Sequence, residues 1–447
     1  MRKSILAFLG LLLFASTTQA QICLDSDPKQ KEILNRFSWY SKDPELKPDF
    51  CDPKNLAYRV ANALLFLKSA GKLDHSKTDQ FDRSVLGSDP LEFFSGRIRT
   101  LQFDPDDEND DDQSGCDGYT AAYVNAATKS GVMHICRHLG GLDALTISSA
   151  LIHEARHQDS YHQHAICNHG FMIGQAACDE SYSSGDSYSV QTEYFVKVSR
   201  SGQITPAIRQ TARDSAIEYF SNRFNALPLG IKKGAALLTS DSKLVFYDGE
   251  SVTPMMSLKN SAIQMYQSGD LLKFYDPIQR VLSQTLDGVN LETLETNHDM
   301  DLDHGKGRFV DRYWTQRADC WLYTNRLICD FHEKKLSLPI TDFTPVGFQS
   351  YSLSDRFEKK VRIVSKEGQV YAVTAASTEF SGESTNNLNT GAWDSSTTIG
   401  LSFDGRVYFE TQNGGRTLRK PAPGLSPNGT YIKMIAPYYW SKELQKL

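Results

Sequence analysis

Leu151 to Asp159 reads LIHEARHQD, and inside it stand His153, Glu154 and His157. Residues four apart lie on one face of a helix, so both imidazoles reach a common point with the Glu154 carboxylate beside it. Two imidazoles and one acid on a single turn form a metal-binding and proton-transfer set, the H-E-x-x-H pattern. Upstream, LGGLDALTISSAL supplies a Gly-Gly break and then Leu145, Ser148, Leu151, Ile152 and Ala155 at spacings that turn them inward. A helix is therefore expected, with His153 and His157 facing a cleft. Arg156 points off that face and is expected to pair with an acid in the flanking loops.

Working outward, YTAAYVNAAT and SGVMHICRH read as two short strands with a turn around Lys129 to Gly131. Strand, turn, strand and then the H-E-x-x-H helix resembles the catalytic domain of the zincin metallopeptidases, over roughly residues 118–195. The resemblance implies an α+β catalytic domain and one catalytic Zn2+ held by His153 and His157. Glu154 would be the general base, and the substrate a peptide or protein. It also implies that the strand beside the helix, taken as Val132 to Cys136, pairs with substrate through its main chain.

A catalytic zinc takes a third protein ligand and keeps a position for water. The family patterns for that ligand are matched only in part. The last histidine of the metzincin pattern would fall at Gln163, between His162 and His164, and Glu180 is followed at the thermolysin-like spacing by Ser184. The aspzincin pattern is matched at Asp179 and Tyr182 alone. Asp179 and His164 stand equal as candidates, with Glu180 and Glu193 behind them. The oxyanion of the reaction needs a further donor, and Tyr182 is preferred to Tyr188 and Tyr194.

At the chain start, Met1, Arg2 and Lys3 precede an apolar run from Ile5 to Ala15 and a small-residue segment to Ala20. This is the pattern of a signal peptide over residues 1–20, cleaved near Ala20, and it predicts a secreted or periplasmic protein. The run is too short to span a bilayer, so no integral membrane segment is expected. Eight cysteines in an exported chain argue for disulfides. They fall into neighbouring pairs, Cys23 with Cys51, Cys116 with Cys136, Cys167 with Cys178, and Cys320 with Cys329, among about 105 conceivable pairings. For the last pair, a two-residue turn at Thr324 and Asn325 would set Cys320 opposite Cys329 in a non-hydrogen-bonded position, where side chains come closest.

The 447 residues carry 48 Lys and Arg against 54 Asp and Glu, a formal charge of −6. That balance lacks the basic footprint of a nucleic-acid binder. The sequence leaves oligomeric state open. An acid run from Asp104 to Asp112 offers oxygen ligands for Ca2+ or a solvated loop. Asp299, Asp301 and Asp303 begin like a calcium loop, but His304 and Val310 stand where its glycine and last glutamate belong.

Residues 21–102 read as mostly helical, with Asp52 capping a helix that has Pro53 at its first position and stops at Gly71. A second good helix starts at Thr205 and Pro206 and keeps its apolar period to about Leu227. After the linker LPLGIKKG the chain turns to strands. SDSKLVFYDG, SQTLDGVNLET, WLYTNRLICDF, SKEGQVYAV and SFDGRVYFET have turn centres near Ser242, Asp287, Asn325, Glu367 and Asp404. The spacing of about forty residues is a β-propeller blade length. The expected architecture is a zincin-like domain over 21–230 followed by an all-β domain over 231–447, a propeller of about five blades, with a β-sandwich or barrel as the alternative.

Two functions follow. The first is an exported zinc metallopeptidase that hydrolyses peptide bonds with Glu154 as base. The alternative is a non-catalytic secreted binding protein that works through its β domain and keeps a structural or degenerate zinc site. Glu154 favours the enzyme, because a structural zinc site needs no base beside it.

Overall fold

The computed structural model describes residues 23–447 apart from 42, 70–78, 88, 106–114, 117–119, 126, 160–163, 171, 260–263, 269–270, 277–280, 289, 291, 295–308, 316–317, 331–334, 350–359, 375–382, 386, 394–395, 414–415 and 426–429. The signal-peptide segment, the body of the Asp104–Asp112 run and the Asp299–Asp303 loop lie outside the described residues. The chain is mostly β, with several sheets and few helices. Contacts divide it into two compact units, Met1–Gly71 with Leu91–Asp159, and Lys72–Pro90 with Ser160–Leu447. The expected boundary at residue 231 marks a change from helix to strand, whereas the compact units part at Asp159.

In the first unit, strands β1 (Ser38–Ser41), β2 (Thr100–Asp104), β3 (Ala122–Val124) and β4 (Val132–Cys136) form one sheet in the order β1-β2-β4-β3. The first two pairings are parallel and β3 runs antiparallel to β4. Residues Lys129 and Gly131 carry the expected turn, both at positive φ. One expectation is corrected: β4 has both edges paired, so among the described residues the outer strands of the sheet are β1 and β3, and β3 is the strand that lies against helix α4 (Ala144–His157). The helix starts at Ala144 because Asp143 accepts the Thr146 amide at 3.0 Å. It buries Leu145, Ser148, Leu151, Ile152 and Ala155, the face its spacing predicts, and packs on α2 (Leu56–Ser69). The latter begins later than Asp52 and Pro53 imply. Asp52 accepts the Lys54 amide in a turn, and Asn55 accepts the Ala57 amide at 2.9 Å at the helix start itself. Disulfides Cys23–Cys51 and Cys116–Cys136 staple this unit.

In the second unit, α5 (Ser187–Arg200) and α6 (Pro206–Asn222) pack together. Beside them lie β5 (Ala165–Ile166), β6 (Ala176–Ser181) and β7 (Phe224–Ala226), with Cys167 bonded to Cys178. Among the described residues, twenty strands follow in five antiparallel sheets. The first joins β8 (Lys232–Thr239), β9 (Lys243–Tyr247) and β10 (Val252–Ser257) to the last strand of the chain, β27 (Tyr431–Trp440), in the order β10-β9-β8-β27. The second holds β11 (Gln264–Ser268), β12 (Leu271–Asp276), β13 (Val281–Thr285) and β14 (Glu292–Leu294); the third β15 (Phe309–Thr315), β16 (Ala318–Tyr323), β17 (Arg326–Asp330) and β18 (Lys335–Pro339). The fourth holds β19 (Pro345–Gln349), β20 (Lys360–Ser365), β21 (Gln369–Thr374) and β22 (Glu383–Ser384); the fifth β23 (Asn387–Ala392), β24 (Thr397–Ser402), β25 (Val407–Asn413) and β26 (Arg416–Pro421). Each sheet buries its face on the next. Leu238 and Leu244 of the first meet Met265 and Leu272 of the second, and Leu322 and Leu327 of the third meet Phe348 and Ile363 of the fourth.

Three of the predicted turns are one recurring device. Thr239–Ser242, Ser365–Gly368 and Ser402–Gly405 each close with the last amide donating to the first carbonyl at 3.0 Å. Each places its last residue at positive φ, at Ser242, Gly368 and Gly405. The Asn325 turn is the tight hairpin foreseen, with Tyr323 opposite Arg326 and Cys320 opposite and bonded to Cys329. Asp287 differs: it lies between the third and fourth strands of its sheet, one strand later than the other four turns. At Gly368, φ is +79° and an added Cβ would stand 2.6 Å from the Thr385 carbonyl oxygen. Gly368→Ala should therefore lower the unfolding free energy by about 1–2 kcal/mol, measured by denaturant unfolding.

Candidate functional site

Helix α4 places His153 and His157 one turn apart, and their Nε2 atoms stand 3.3 Å from each other. The rings meet at 5.1 Å and 65°, edge toward face. Two imidazole nitrogens this close suit a shared cation, which is the chemistry of a zinc ligand pair. Glu154 Oε1 lies 4.0 Å from His153 Nε2, and its side chain keeps 16% of its exposure. Burial pushes its carboxyl up to about 8, opposed by the Val124 amide of β3 that donates to it. The edge strand and the acid are thus tied by one hydrogen bond. Past the helix, Arg156 meets Asp159 at 2.7 Å, the flanking acid expected for it, and Arg97 meets the same carboxylate at 2.8 Å. Against the upward pull of burial, these two guanidinium groups hold the Asp159 carboxyl below its usual range.

The remaining candidates lie in the second unit, and the structure separates them. Asp179 is buried on β6, where its Oδ2 accepts the Ser189 amide at 2.9 Å and the Ser189 hydroxyl at 3.1 Å. Its Oδ1 faces His164 Nδ1 at 3.8 Å. The His164 side chain is 20% exposed and its ring lies 4.7 Å from that of Tyr188. Glu180 is exposed.

Glu193 is committed elsewhere: it accepts the amides of Val85 and Leu86 and faces Lys197 at 3.4 Å, while Lys197 meets Asp82 at 2.7 Å. Burial pushes the Glu193 carboxyl up to about 7, with Lys197 opposing.

Tyr182, expected as the oxyanion donor, is a core residue. Its hydroxyl donates to the Phe81 carbonyl at 2.6 Å and its ring packs on Phe220 and Phe224. Tyr194 is fully buried. The Tyr188 ring lies 4.7 Å from that of His164, and Arg223 stands 4.7 Å above it.

One cluster escaped the sequence reading. Asp104 accepts from His134 Nδ1 at 2.6 Å and from the Tyr123 hydroxyl at 3.5 Å, and the two rings stack at 4.4 Å. Burial, with Asp104 beside it, pushes the Tyr123 phenol up to about 12. Tyr123 and His134 fall in segments expected to be strands, but Asp104 was expected in an acidic loop, whereas it ends β2, and the three meet only through the sheet order. Because Asp104 is bonded in this way, the first acid of the Asp104–Asp112 run serves the sheet.

No protein-family model matches the chain, and no curated protein matches it. Solved structures that resemble part of it are β-propeller-like. The WD40 β-propeller domain of Doa1 is 12% identical over 42% of this chain and 64% of that one, with a TM-score of 0.23. Virginiamycin B lyase from Staphylococcus aureus is 11% identical over 42% and 68%, with a TM-score of 0.22. YCF48 bound to D1 peptide is 12% identical over 46% and 64%, with a TM-score of 0.24.

Two stability tests follow from these assignments. Tyr182→Phe should cost about 1–2 kcal/mol, the loss of one buried hydrogen bond, and leave the metal content of the purified chain unchanged. Lys197→Met should cost about 3–5 kcal/mol at pH 8, because it strands two buried acids. An acid whose folded value lies above its unfolded value, about 4.3 for Glu, loses stability as pH rises past the unfolded value. The Lys197→Met loss should accordingly shrink at pH 5, where Glu193 holds a proton; chemical denaturation at both pH values checks it.

Proposed function

We propose that this chain is an exported zinc metallopeptidase with His153 and His157 as metal ligands and Glu154 as general base. The observation that carries the reading is the 3.3 Å approach of the two α4 imidazoles with the Glu154 carboxylate on the same turn. The bound zinc would supply an acidified water and polarise the substrate carbonyl. Glu154 takes a proton on its carboxylate and returns it to the leaving nitrogen. The Val124 amide orients the Glu154 carboxylate. The outer position of β3 in its sheet supports recognition of an extended peptide main chain. The Tyr182 hydroxyl is occupied by the Phe81 carbonyl, so Tyr182 is not proposed as the oxyanion donor.

Of the two candidates for a third ligand, Asp179 has one carboxylate oxygen engaged by Ser189. Four disulfides support an oxidising destination. Among the described residues no helix is long and apolar enough to cross a membrane.

The five sheets are read as the blades of a propeller. In support, the leading strands neighbour one another in a circuit, β11 with β15, β15 with β19, β19 with β23, β23 with β27 and β27 with β11. Asp311 of β15 joins three of these strands, accepting from the Phe348 amide of β19 at 3.0 Å and from Lys433 of β27 at 2.5 Å. The pairing of β27 with β8 completes the first blade with the last strand of the chain.

Elemental analysis of the dialysed mature chain should find about one zinc, lost in His153→Ala. Glu154→Gln should keep the zinc and lose peptide hydrolysis by at least about a hundredfold. Full hydrolysis in Glu154→Gln, or a chain that takes up no zinc, would overturn the peptidase reading and leave the β sheets as the working surface of a binding protein.

A further inference from the structure

In the second unit, the turn between β9 and β10 and the fifth sheet flank a cleft of about 370 Å³ lined by Asp248, Gly249, Glu250, Trp393, Thr397 and Phe409. Its volume falls in the range of small-ligand sites, about 300–1,000 Å³. The two aromatic rings meet at 68° with centroids 4.9 Å apart. Both also pack on the core between the first and fifth sheets, where Tyr247 is fully buried, and each lies 6.2 Å from the Tyr247 ring. Main-chain bonds hold Trp393 in place: its amide donates to the Thr397 carbonyl at 2.9 Å, and the Lys233 ammonium donates to the Trp393 carbonyl. The turn presses against the indole, since Gly249 is at φ +101° and an added Cβ would stand 2.8 Å from Trp393 Cζ2.

The polar groups of the cleft fall into two sets. Asp248 is engaged: one oxygen meets Lys232 at 2.6 Å, and the other accepts the amides of Glu250 at 3.1 Å and Ser251 at 2.8 Å, which shapes the turn. The Thr397 hydroxyl meets that of Thr411 at 3.3 Å. Glu250 is exposed, and among the described residues its carboxylate has no hydrogen bond and no ion pair. Lys232, which feels its charge, is held by Asp248. The cleft therefore offers a ligand two π systems, whose faces are electron-rich, and one carboxylate, which only accepts hydrogen bonds. Such groups attract a flat cation. The fifth sheet satisfies the same pair of groups elsewhere with one of its own residues: the Arg419 guanidinium stands 4.0 Å over the Tyr408 ring, and its Nε lies 3.5 Å from Glu410.

We propose that this cleft binds a guanidinium group, the arginine side chain of a polypeptide partner, against Trp393 and Phe409 with Glu250 accepting from its N–H fork. A guanidinium suits it better than an ammonium, because it is planar, more weakly hydrated, stacks on aromatic faces and matches a carboxylate with two parallel donors. The inference stands apart from the zinc reading, since no residue of α4 enters it.

The test is an NMR titration of the full mature chain carrying nitrogen-15 tryptophan. The chain has five tryptophans, and the signal missing in Trp393→Phe identifies the Trp393 indole. If that variant does not fold, the indole signal displaced in Glu250→Gln identifies it instead. The probes are Nα-acetylarginine amide, its uncharged isostere Nα-acetylcitrulline amide, and the neutral disaccharide cellobiose. The arginine amide should move the Trp393 signal with half-saturation at about 1–30 mM, the strength of one cation–π contact and one exposed ion pair. The citrulline amide should bind at least about tenfold more weakly, and cellobiose should leave the signal in place. Glu250→Gln, a change at an exposed side chain, should weaken the arginine amide by about threefold or more, and added salt should weaken it in the parent. A Trp393 signal that the arginine amide does not move overturns the proposal. So does an equal response to the citrulline amide, or an undiminished affinity in Glu250→Gln. A response to cellobiose alone would make the cleft a saccharide site and overturn it as well.

Discussion

Burial of one face of α4 against α2 fixes the direction in which the opposite face looks, and the candidate chemistry depends on that constraint. Leu151, Ile152 and Ala155 are fully buried, as are Val60, Ala61, Leu64 and Leu67 of α2. A helix held along one side by close packing cannot rotate without opening cavities that cost several kcal/mol. The packing and the 3.3 Å contact between the two Nε2 atoms together keep the imidazoles close. At the end of the helix, Arg97 and Arg156 close on Asp159 and tie the last turn to the rest of the unit. The same burial that orients Glu154 also desolvates it, so packing and acidity have one cause.

The second unit solves a different problem. A four-stranded antiparallel sheet cannot bury both faces alone, and each of the five does so on its neighbours. Strand β27, from the far end of the sequence, pairs with β8 and so ties the two ends of the run of strands together in the first sheet. Next to these sheets, residues 79–86 are tied down by a buried network that a surface loop would not need. Lys197 joins Asp82 and Glu193, the Tyr182 hydroxyl holds the Phe81 carbonyl, and Arg200 meets Asp79 at 2.9 Å. Removing one member strands the others in a poorly solvated place, so the network ties this segment to α5 more tightly than its length suggests.

Local features were legible in the residues. The α4 face, the turn at Lys129–Gly131, the hairpin that joins Cys320 to Cys329 and the Ser/Thr-led turns before β9, β21 and β25 each depend on a few neighbouring residues whose backbone preferences agree. All four disulfides join cysteines that neighbour each other among the cysteines of the chain, which places each bridge inside one local segment. What failed were readings that need a third partner. Val132–Cys136 was taken as the edge strand because it precedes the helix, but edge status depends on β2, some thirty residues upstream, pairing with it. Tyr182 was taken as a donor for its place after Asp179; Phe81, a hundred residues earlier, occupies its hydroxyl.

The sequence by itself determined the donor set His153, Glu154 and His157, because helical spacing alone brings such residues to one face. It also set Cys320 opposite Cys329 across a two-residue turn, while the other three pairings were fixed by the fold. Only the tertiary structure decided which candidate acids are committed to hydrogen bonds, where the units part and which histidine stands against Asp179. The physical reason is range: spacing along a helix or hairpin acts over a few residues, while burial and long-range pairing are set by segments that meet only once the chain has folded.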